Sequence, residues 1–306
     1  MTEPITIGIP RGMLFYRYEI LWRSFFRELG IEVLVSEPTR QDTAERGMAV
    51  TIDEACLALK LFFGHVDALI GKCTYILLPR GSGYGRDREL CPRFAALYDM
   101  AQNVFRGQKF LPFSVEPQGR DAERSAFLAL GQALGVPAIS ARAAYETAKR
   151  EEQRKWKLRL QAQNASLRSD GLKLLIAAHS YVIRDAYIGT PILDFLKKNG
   201  AVPVRADLVD RELARRRSVE LSPTCKWEMS REILGGIAQY RDRVDGIILL
   251  STFPCGPDAM VNDLLLRKIT DKPMLNLVLD GQNGTAGLET RLESFLDIIR
   301  FKKGLL

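Results

Sequence analysis

The sequence has 306 residues, of which 46% are hydrophobic and 26% charged; this is typical of a globular protein and long enough for two domains with separate cores. No apolar run approaches the roughly 20 residues that cross a bilayer, and the first residues lack the basic and apolar regions of a signal peptide, so we expect a cytoplasmic protein with no membrane partner. The formal net charge of +7 is moderate and comes without a nucleic-acid-reading motif, so nucleic acid is not an expected partner.

Much of the positive charge lies in two runs, at 149–159 and 211–217. Such runs are typical of solvated helix faces. The alternative is a surface that docks an acidic partner or a nucleotide-bearing substrate. The sequence leaves both interpretations open.

The first half of the chain alternates between strand and helix signals. The predicted strands are 5–9, 31–35, 75–78 and 110–115, and the predicted helices are 14–29, 41–46, 51–70, one that starts at Cys91-Pro92, and 122–134. The Gly-rich stretch 79–85 predicts a flexible loop. A charge-dominated pattern over 141–165 predicts a long connecting helix.

The second half repeats this alternation. The predicted strands are 172–178, 202–205, 246–250 and 274–279, and the predicted helices are 191–198, 212–217, 228–240, one from Asp258, and a closing helix at 288–299. Strands that alternate with helices imply mainly parallel sheets with right-handed crossovers. The predicted fold is therefore α/β, with two Rossmann-like domains whose mainly parallel sheets face a cleft and which are joined by the long charged helix. We place the N-terminal domain, with the connecting helix, at 1–165 and the C-terminal domain at 166–306.

Several loops fall at the predicted carboxyl ends of strands, where open α/β sheets bind their ligands. They are Pro10-Arg11-Gly12, 80–90, His179-Ser180-Tyr181, the loop around Cys255, and 280–284. Their clustering predicts a single site in the cleft.

Two cysteines lie in such loops. Cys255 follows a strand and is flanked by Pro254, Gly256 and Pro257, which constrain the backbone on both sides of the thiol. Cys91 closes the Gly-rich loop and starts a helix, where amide groups and the helix dipole favour a thiolate.

Three further cysteines complete the five in the sequence, and a reducing compartment argues against structural disulfides among them. Cys56 is predicted in the first turn of a helix beside Asp53 and Glu54, and Cys225 in a loop before another helix. Cys73 enters an apolar strand and is expected to pack in the interior. The alternative for the other four is that each packs independently in the interior as well. Their positions in loops and at helix starts argue against this alternative.

Soft thiolate ligands without accompanying histidine suit zinc or an iron–sulfur cluster. The sequence contains no Cys-x-x-Cys, which excludes a zinc ribbon and a ferredoxin-type run. Widely separated ligands from two domains suggest instead one cluster held between them.

A nucleophilic cysteine would need a nearby base, and the sequence has two histidines. His65 lies inside a helical pattern and is expected to be structural, whereas His179 ends a strand and stays open as a site residue. Asp53, Glu54 and Asp258 flank cysteines, and each either supports a neighbouring cysteine or caps a helix; for Asp258 capping alone is the expectation. The stretch 281–287 is either a phosphate cradle at a helix N-terminus or an ordinary turn.

Six segments stand in an order that resembles a known family. They are Ile7-Gly8-Ile9-Pro10-Arg11, Asp53-Glu54-Ala55-Cys56, Gly64-His65-Val66, Cys91-Pro92-Arg93-Phe94, Phe253-Pro254-Cys255-Gly256-Pro257-Asp258 and Ala286-Gly287-Leu288-Glu289-Thr290-Arg291-Leu292-Glu293. Together they resemble the activase-related proteins of the 2-hydroxyacyl-CoA dehydratase superfamily, which includes the double-cubane cluster proteins. The resemblance covers nearly the whole chain.

The resemblance implies two α/β domains with an oxygen-sensitive iron–sulfur cluster between them. It also implies an ATP-hydrolysing activator or another low-potential electron donor as partner, and an acyl-CoA or other small-molecule substrate. By motif it implies Cys56, Cys91 and Cys255 as ligands, and Cys225 is added from its loop position. The chain has no ATPase signature of its own, so we expect the activator to be a separate protein.

We therefore expect an iron–sulfur protein that binds a 4Fe–4S cluster through Cys56, Cys91, Cys225 and Cys255, for ATP-dependent low-potential electron transfer or reductive catalysis. A non-catalytic cluster carrier or accessory subunit is the first alternative, and a metal-free small-molecule-binding protein is the second. The substrate, the cluster nuclearity, the redox partner and a homo-oligomeric state are left open.

Overall fold

The computed structural model describes residues 5–85, 87–115, 121–281 and 285–305. The chain divides into two compact units, Met1–Leu158 with Lys226–Glu228, and Arg159–Cys225 with Met229–Leu306. The predicted domain boundary between 165 and 166 stays a prediction, because the compactness of a unit does not show which part folds alone.

The N-terminal unit is a parallel sheet with helices between its strands. Its strands are β1 (Thr6–Ile9), β2 (Glu32–Val35), β3 (Tyr75–Arg80) and β4 (Phe110–Ser114). Its helices are α1 (Phe15–Glu28), α2 (Gln41–Ala49), α3 (Leu57–Asp67), α4 (Pro92–Val104), α5 (Ala122–Ala133) and the first part of α6 (Ala138–Ser166). The strands pair in the order β2-β1-β3-β4, and every pair is parallel.

Aromatic side chains at helical spacing on α1 build the core of this unit. The buried Tyr18 and Trp22 stack on each other and meet the ring of Phe113 from β4 edge-on, at 5.1 and 5.3 Å between centroids. Phe127 of α5 packs 5.0 Å from both Phe113 and Phe25. Replacement of such a ring by alanine costs about 3–5 kcal/mol, so Phe113→Ala is the single change most damaging to this packing.

The C-terminal unit repeats the arrangement. Its strands are β5 (Leu172–Ala177), β6 (Ala201–Arg205), β7 (Gly246–Thr252) and β8 (Met274–Leu279). Its helices are the rest of α6, α7 (Ser180–Ile183), α8 (Thr190–Lys198), α9 (Arg211–Arg217), α10 (Glu228–Tyr240), α11 (Gly256–Lys268) and α12 (Thr285–Lys302), with short 3-10 helices at Ser218–Glu220 and Arg241–Arg243. All seven residues of β7 are buried, as expected for a central strand covered on both faces. The strand order is β6-β5-β7-β8, again wholly parallel.

Two four-stranded parallel sheets confirm the predicted α/β class with two Rossmann-like domains. The short helix α7 was not predicted, because four residues are too few to show a helical period. Among the described residues no helix combines the length and the apolar character that a membrane crossing requires.

Candidate functional site

Cys91 and Cys255 occupy corresponding positions in the two units. Cys91 is the N-cap residue of α4, the helix that follows the third strand β3. Cys255 is the N-cap residue of α11, which follows the third strand β7 of the other sheet. Their ψ angles are 138° and 104°, outside the helical region, and both residues are half-buried. Each lies at the carboxyl end of its sheet, as predicted.

Cys56 and Cys225 form a second corresponding pair. Cys56 is the N-cap residue of α3, the helix that leads into β3. Cys225 lies shortly before α10, the helix that leads towards β7, and it packs at the margin of the hydrophobic core of its unit. The structure corrects one detail, because α3 begins at Leu57 and Cys56 precedes the first turn rather than lying in it.

The N-cap position suits an anionic sulfur. Ser, Thr, Asp or Asn usually fills this position, where the first backbone amides of the helix need an acceptor. A cysteine there lies at the positive end of the helix dipole, but the sulfurs of Cys56, Cys91 and Cys255 make no capping hydrogen bond to the described amides of their helices. Cysteine sulfur is the type of ligand that soft metal ions prefer. In the part of the chain that the structure describes, however, no three His, Cys, Asp or Glu side chains form a group that could hold a metal ion.

Cys73 differs from the other four thiols. Its sulfur packs against Gly8, where an added Cβ would approach to 2.5 Å, and it donates to the Leu69 carbonyl at 3.6 Å. Burial raises the pKa of Cys73, which favours the neutral thiol. These contacts support interior packing, although the side chain is half-buried rather than fully buried.

The Gly-rich loop before Cys91 contains backbone hydrogen bonds, and its predicted flexibility stays a prediction. Tyr84 N donates to the Arg88 carbonyl at 2.8 Å, and Leu90 N donates to the Ser82 carbonyl at 2.8 Å. At Gly83 a Cβ would lie 2.4 Å from the Arg88 carbonyl oxygen, so the turn requires glycine. Arg86 lies outside the described residues.

Residues 226–228, which follow Cys225 directly, pair with this loop inside the N-terminal unit. Glu89 forms a parallel bridge with Trp227, through Glu89 N to the Lys226 carbonyl at 2.9 Å and Glu228 N to the Glu89 carbonyl at 2.8 Å. The Arg88 guanidinium donates to Glu228, whose side chain is 2% exposed. The bridge thus ties together the residues that flank two of the four predicted ligands.

His179 is buried in an ion pair. Its Nε2 lies 2.7 Å from Asp258 Oδ1, and its ring stacks on Tyr181 at 5.0 Å. Burial lowers the pKa of His179, but the Asp258 carboxylate, together with the charges of Glu232 and Asp207, raises it by more, so this pKa lies above its ordinary value. The assignment of Asp258 to capping alone is corrected, since the carboxylate lies in the first turn of α11 but pairs with His179. The two residues are 79 positions apart, so no local pattern could reveal the pair.

His65 is structural, as its helical pattern predicts. Its Nδ1 lies 3.0 Å from Ser36 Oγ and its Nε2 2.9 Å from Thr39 Oγ1, all three residues being buried. Burial, followed by the charge of Arg11, lowers the pKa of His65 to about 3. Its imidazole is therefore neutral at ordinary pH.

The remaining candidates are outside these clusters. Asp53 and Glu54 are exposed, and the Asp53 carbonyl accepts from Lys60 Nζ at 2.9 Å. The predicted phosphate cradle at 281–287 includes residues 282–284, which lie outside the described residues.

Each unit has a cavity beside its third strand. In the N-terminal unit a cavity of about 610 Å³ is lined by Arg80, Ser82 and Pro92, next to Cys91. In the C-terminal unit a cavity of about 430 Å³ is lined by Cys255 itself. Its polar lining residues Asn262 and Asn276 carried no signal in the sequence, since lone asparagines occur in any helix or strand.

Comparison with known proteins gives one family match. A family described as "CoA enzyme activase uncharacterised domain (DUF2229)" matches residues 6–209. No curated protein matches the sequence.

Among solved structures, the SBP FpvC of Pseudomonas aeruginosa in complex with Ni²⁺ is 14% identical, with 97% of this chain and 96% of that chain covered and a TM-score of 0.30. A periplasmic metal binding protein of Candidatus Liberibacter asiaticus is 12% identical, with 96% of this chain and 98% of that chain covered and a TM-score of 0.30. Scores this low support no argument about fold or function.

Proposed function

Since the chain belongs to the CoA enzyme activase uncharacterised domain family, we propose that it is an iron–sulfur protein that acts with an ATP-hydrolysing activator in low-potential electron transfer or reductive catalysis. Its proposed ligands are Cys56, Cys91, Cys225 and Cys255, and the proposed cofactor is a 4Fe–4S cluster. The resemblance to the 2-hydroxyacyl-CoA dehydratase superfamily supports an acyl-CoA or another small molecule as substrate.

The observation that carries this proposal is the correspondence of the four cysteines. In each unit, one cysteine (Cys56 or Cys225) precedes the helix that leads towards the third strand, and the other (Cys91 or Cys255) precedes the helix that follows it. Core packing alone gives no reason for cysteine to recur at the same topological places, because other small apolar residues would fill such gaps equally well. Ligation of an iron–sulfur cluster does give one, because such clusters are normally held by cysteine thiolates.

The donor chemistry fits the proposed cofactor. Three of the four cysteines take the N-cap position, at the positive end of a helix dipole, and four cysteine thiolates are the usual ligand set of a 4Fe–4S cluster. When bound, such a cluster supplies one-electron transfer at low potential. The chain itself would supply the four thiolates and the elements that hold them, including the bridge between Glu89 and Trp227.

The test is metal analysis and electron paramagnetic resonance on protein purified under strict exclusion of oxygen. We expect about four iron and four sulfide per chain, and loss of most of both in Cys56→Ser, Cys91→Ser, Cys225→Ser and Cys255→Ser. Cys73→Ser is the matched control and should keep the wild-type iron content. A colourless, iron-free wild-type protein would sink the proposal.

Serine separates ligand loss from misfolding at three of these sites. Because serine is a preferred N-cap residue, Cys56→Ser, Cys91→Ser and Cys255→Ser should leave the stability of the metal-free protein unchanged or raise it by up to about 1 kcal/mol. Iron loss in a variant that folds as well as wild type then reports on ligation. Turnover of a candidate acyl-CoA with an added activator ATPase would distinguish a catalytic component from a cluster carrier.

A further inference from the structure

The cavity beside Cys255 has the size of a small-molecule site. Its volume is about 430 Å³, within the range of roughly 300–1,000 Å³ common for ligand pockets. It lies at the carboxyl ends of β7 and β8 and along α11, the place where open α/β sheets bind ligands. All of the lining residues that the structure describes belong to the C-terminal unit.

The polar side of this pocket is formed by uncharged side chains that hydrogen-bond to one another. Asn262 is 8% exposed, and its Nδ2 donates to Asn276 Oδ1 at 3.2 Å and to Ser251 Oγ at 3.5 Å. These two bonds use both hydrogens of the amide. Its own oxygen, Oδ1, accepts from no described residue, so this side of the pocket offers an acceptor to a ligand that carries an N–H or O–H group.

The charge of the lining disfavours a further anion, because Cys255 already takes the N-cap position at the positive end of the α11 dipole. The described lining residues include no Lys, Arg or His, and the single ionisable side chain besides Cys255 is Asp263. A carboxylate or phosphate that entered would lose water without gaining a cation, which is costly. Other lining residues are apolar, and among them Phe253, Leu266 and Val278 are 59%, 41% and 42% exposed.

We propose that this pocket binds a small neutral molecule that has an amide N–H or hydroxyl donor and a short apolar body, and that it rejects the corresponding carboxylate. Asn262 is the residue that determines this specificity. Any role of this binding in catalysis rests on the proposed function, in which Cys255 beside the pocket is a cluster ligand. The binding itself does not require the cluster.

The experiment uses butanamide and butanoate, which have the same carbon chain and differ in charge. Binding to the full-length protein is measured by ligand-observed NMR and calorimetry. We expect butanamide to bind and butanoate to bind at least about tenfold more weakly, because a buried charge without a partner costs more than a satisfied amide. Equal or tighter binding of butanoate, or no binding of butanamide, would overturn the proposal.

Two matched variants locate the binding. Leu266→Trp fills the pocket from an exposed position on α11, and Leu213→Trp makes the same change at an exposed leucine of α9 that does not line it. Leu266→Trp should weaken the binding of butanamide at least about tenfold, while Leu213→Trp should leave this binding unchanged. Unchanged binding to Leu266→Trp would overturn the assignment of this pocket.

Iron content measured on the same samples keeps the two proposals apart. Iron-free protein that binds butanamide would support the pocket and sink the iron–sulfur function. Iron-loaded protein that does not bind butanamide would overturn the pocket alone.

Discussion

Gly47 and Gly64 lie against each other where α2 crosses α3. A Cβ on Gly64 would come within 1.9 Å of the Thr43 carbonyl oxygen, and one on Gly47 within 1.8 Å of the Lys60 carbonyl oxygen. The two helix backbones are therefore in direct contact, with no room for a side chain on either. Because Cys56 is the N-cap of α3, this crossing also fixes the helix that presents that thiol.

Gly64→Ala should destabilise the protein by about 3 kcal/mol or more, because the methyl group meets rigid backbone rather than a movable side chain. Gly287→Ala is the matched control, since none of the described residues has an atom within 4 Å of its added Cβ and it lies on α12. There the substitution should be neutral or stabilising by up to about 1 kcal/mol, because alanine is the better helix former. Urea denaturation followed by circular dichroism measures both, and equal effects would contradict the close crossing.

The His179–Asp258 pair should stabilise the C-terminal unit most at low pH. A histidine whose pKa is raised on folding contributes its full stabilisation below its unfolded pKa of about 6.5 and loses it as the pH rises through the folded pKa. Since the chain has two histidines, the imidazole NMR signals can be followed separately. Asp258→Asn should lower the pKa of His179, whereas Asp263→Asn, at an exposed position on the same helix, should not. A wild-type pKa at or below 6.5 would contradict the pairing.

His65 should produce the opposite pH dependence. Its folded pKa of about 3 lies below the unfolded value, so the unfolded chain takes up a proton that the folded chain does not, and stability falls as the pH drops below 6.5. The loss should be about 2 kcal/mol at pH 5. His65→Gln, which cannot be protonated, should remove this slope between pH 5 and 7 in urea denaturation. A slope that persists in that variant would assign the acid sensitivity to other groups.

Arg88→Ala should cost about 2–3 kcal/mol, because it leaves the buried carboxylate of Glu228 without its cation. Addition of Glu228→Gln should recover part of this loss, since a neutral amide needs no cation, and the double-mutant cycle measures the coupling. Arg46→Ala is the control, because the Arg46–Asp67 pair is exposed by 54% and 29% and should contribute less than about 1 kcal/mol. Additive effects of Arg88→Ala and Glu228→Gln would argue against direct pairing.

Local patterns predicted most of the fold, because the signals that they use are local. The apolar run at Gly246 predicts the buried strand β7, and Pro92 at the first helical position predicts the start of α4. The features that were missed join distant parts of the chain. The His179–Asp258 pair and the Glu89–Trp227 bridge form only when distant parts of the chain have assembled. No local sequence pattern around these residues indicates their partners.

The correspondence of the cysteines was available in part from the sequence. Cys56 and Cys225 each precede a predicted helix that leads to a strand, and Cys91 and Cys255 each precede the helix after it. Recognition of the equivalent cysteine positions required the strand orders β2-β1-β3-β4 and β6-β5-β7-β8. These orders depend on crossovers that the helical and strand periods of the sequence do not encode. For the same reason Asn262 could not be recognised, because its relation to Asn276 depends on the packing of α11 on the sheet.

The pairing of Arg88 with Glu228 also bears on the order in which the protein is synthesised. The two residues are 140 positions apart, and chains generally fold from the N-terminus as they leave the ribosome. The N-terminal unit therefore cannot form the Arg88–Glu228 pair or the Glu89–Trp227 bridge until residues 226–228 have been translated. Until then Arg88 and the Glu89 backbone are open to solvent. At that point the residues of β5 and β6 have been translated, and those of β7 and β8 have not. The N-terminal unit is therefore completed while the C-terminal unit is still being synthesised.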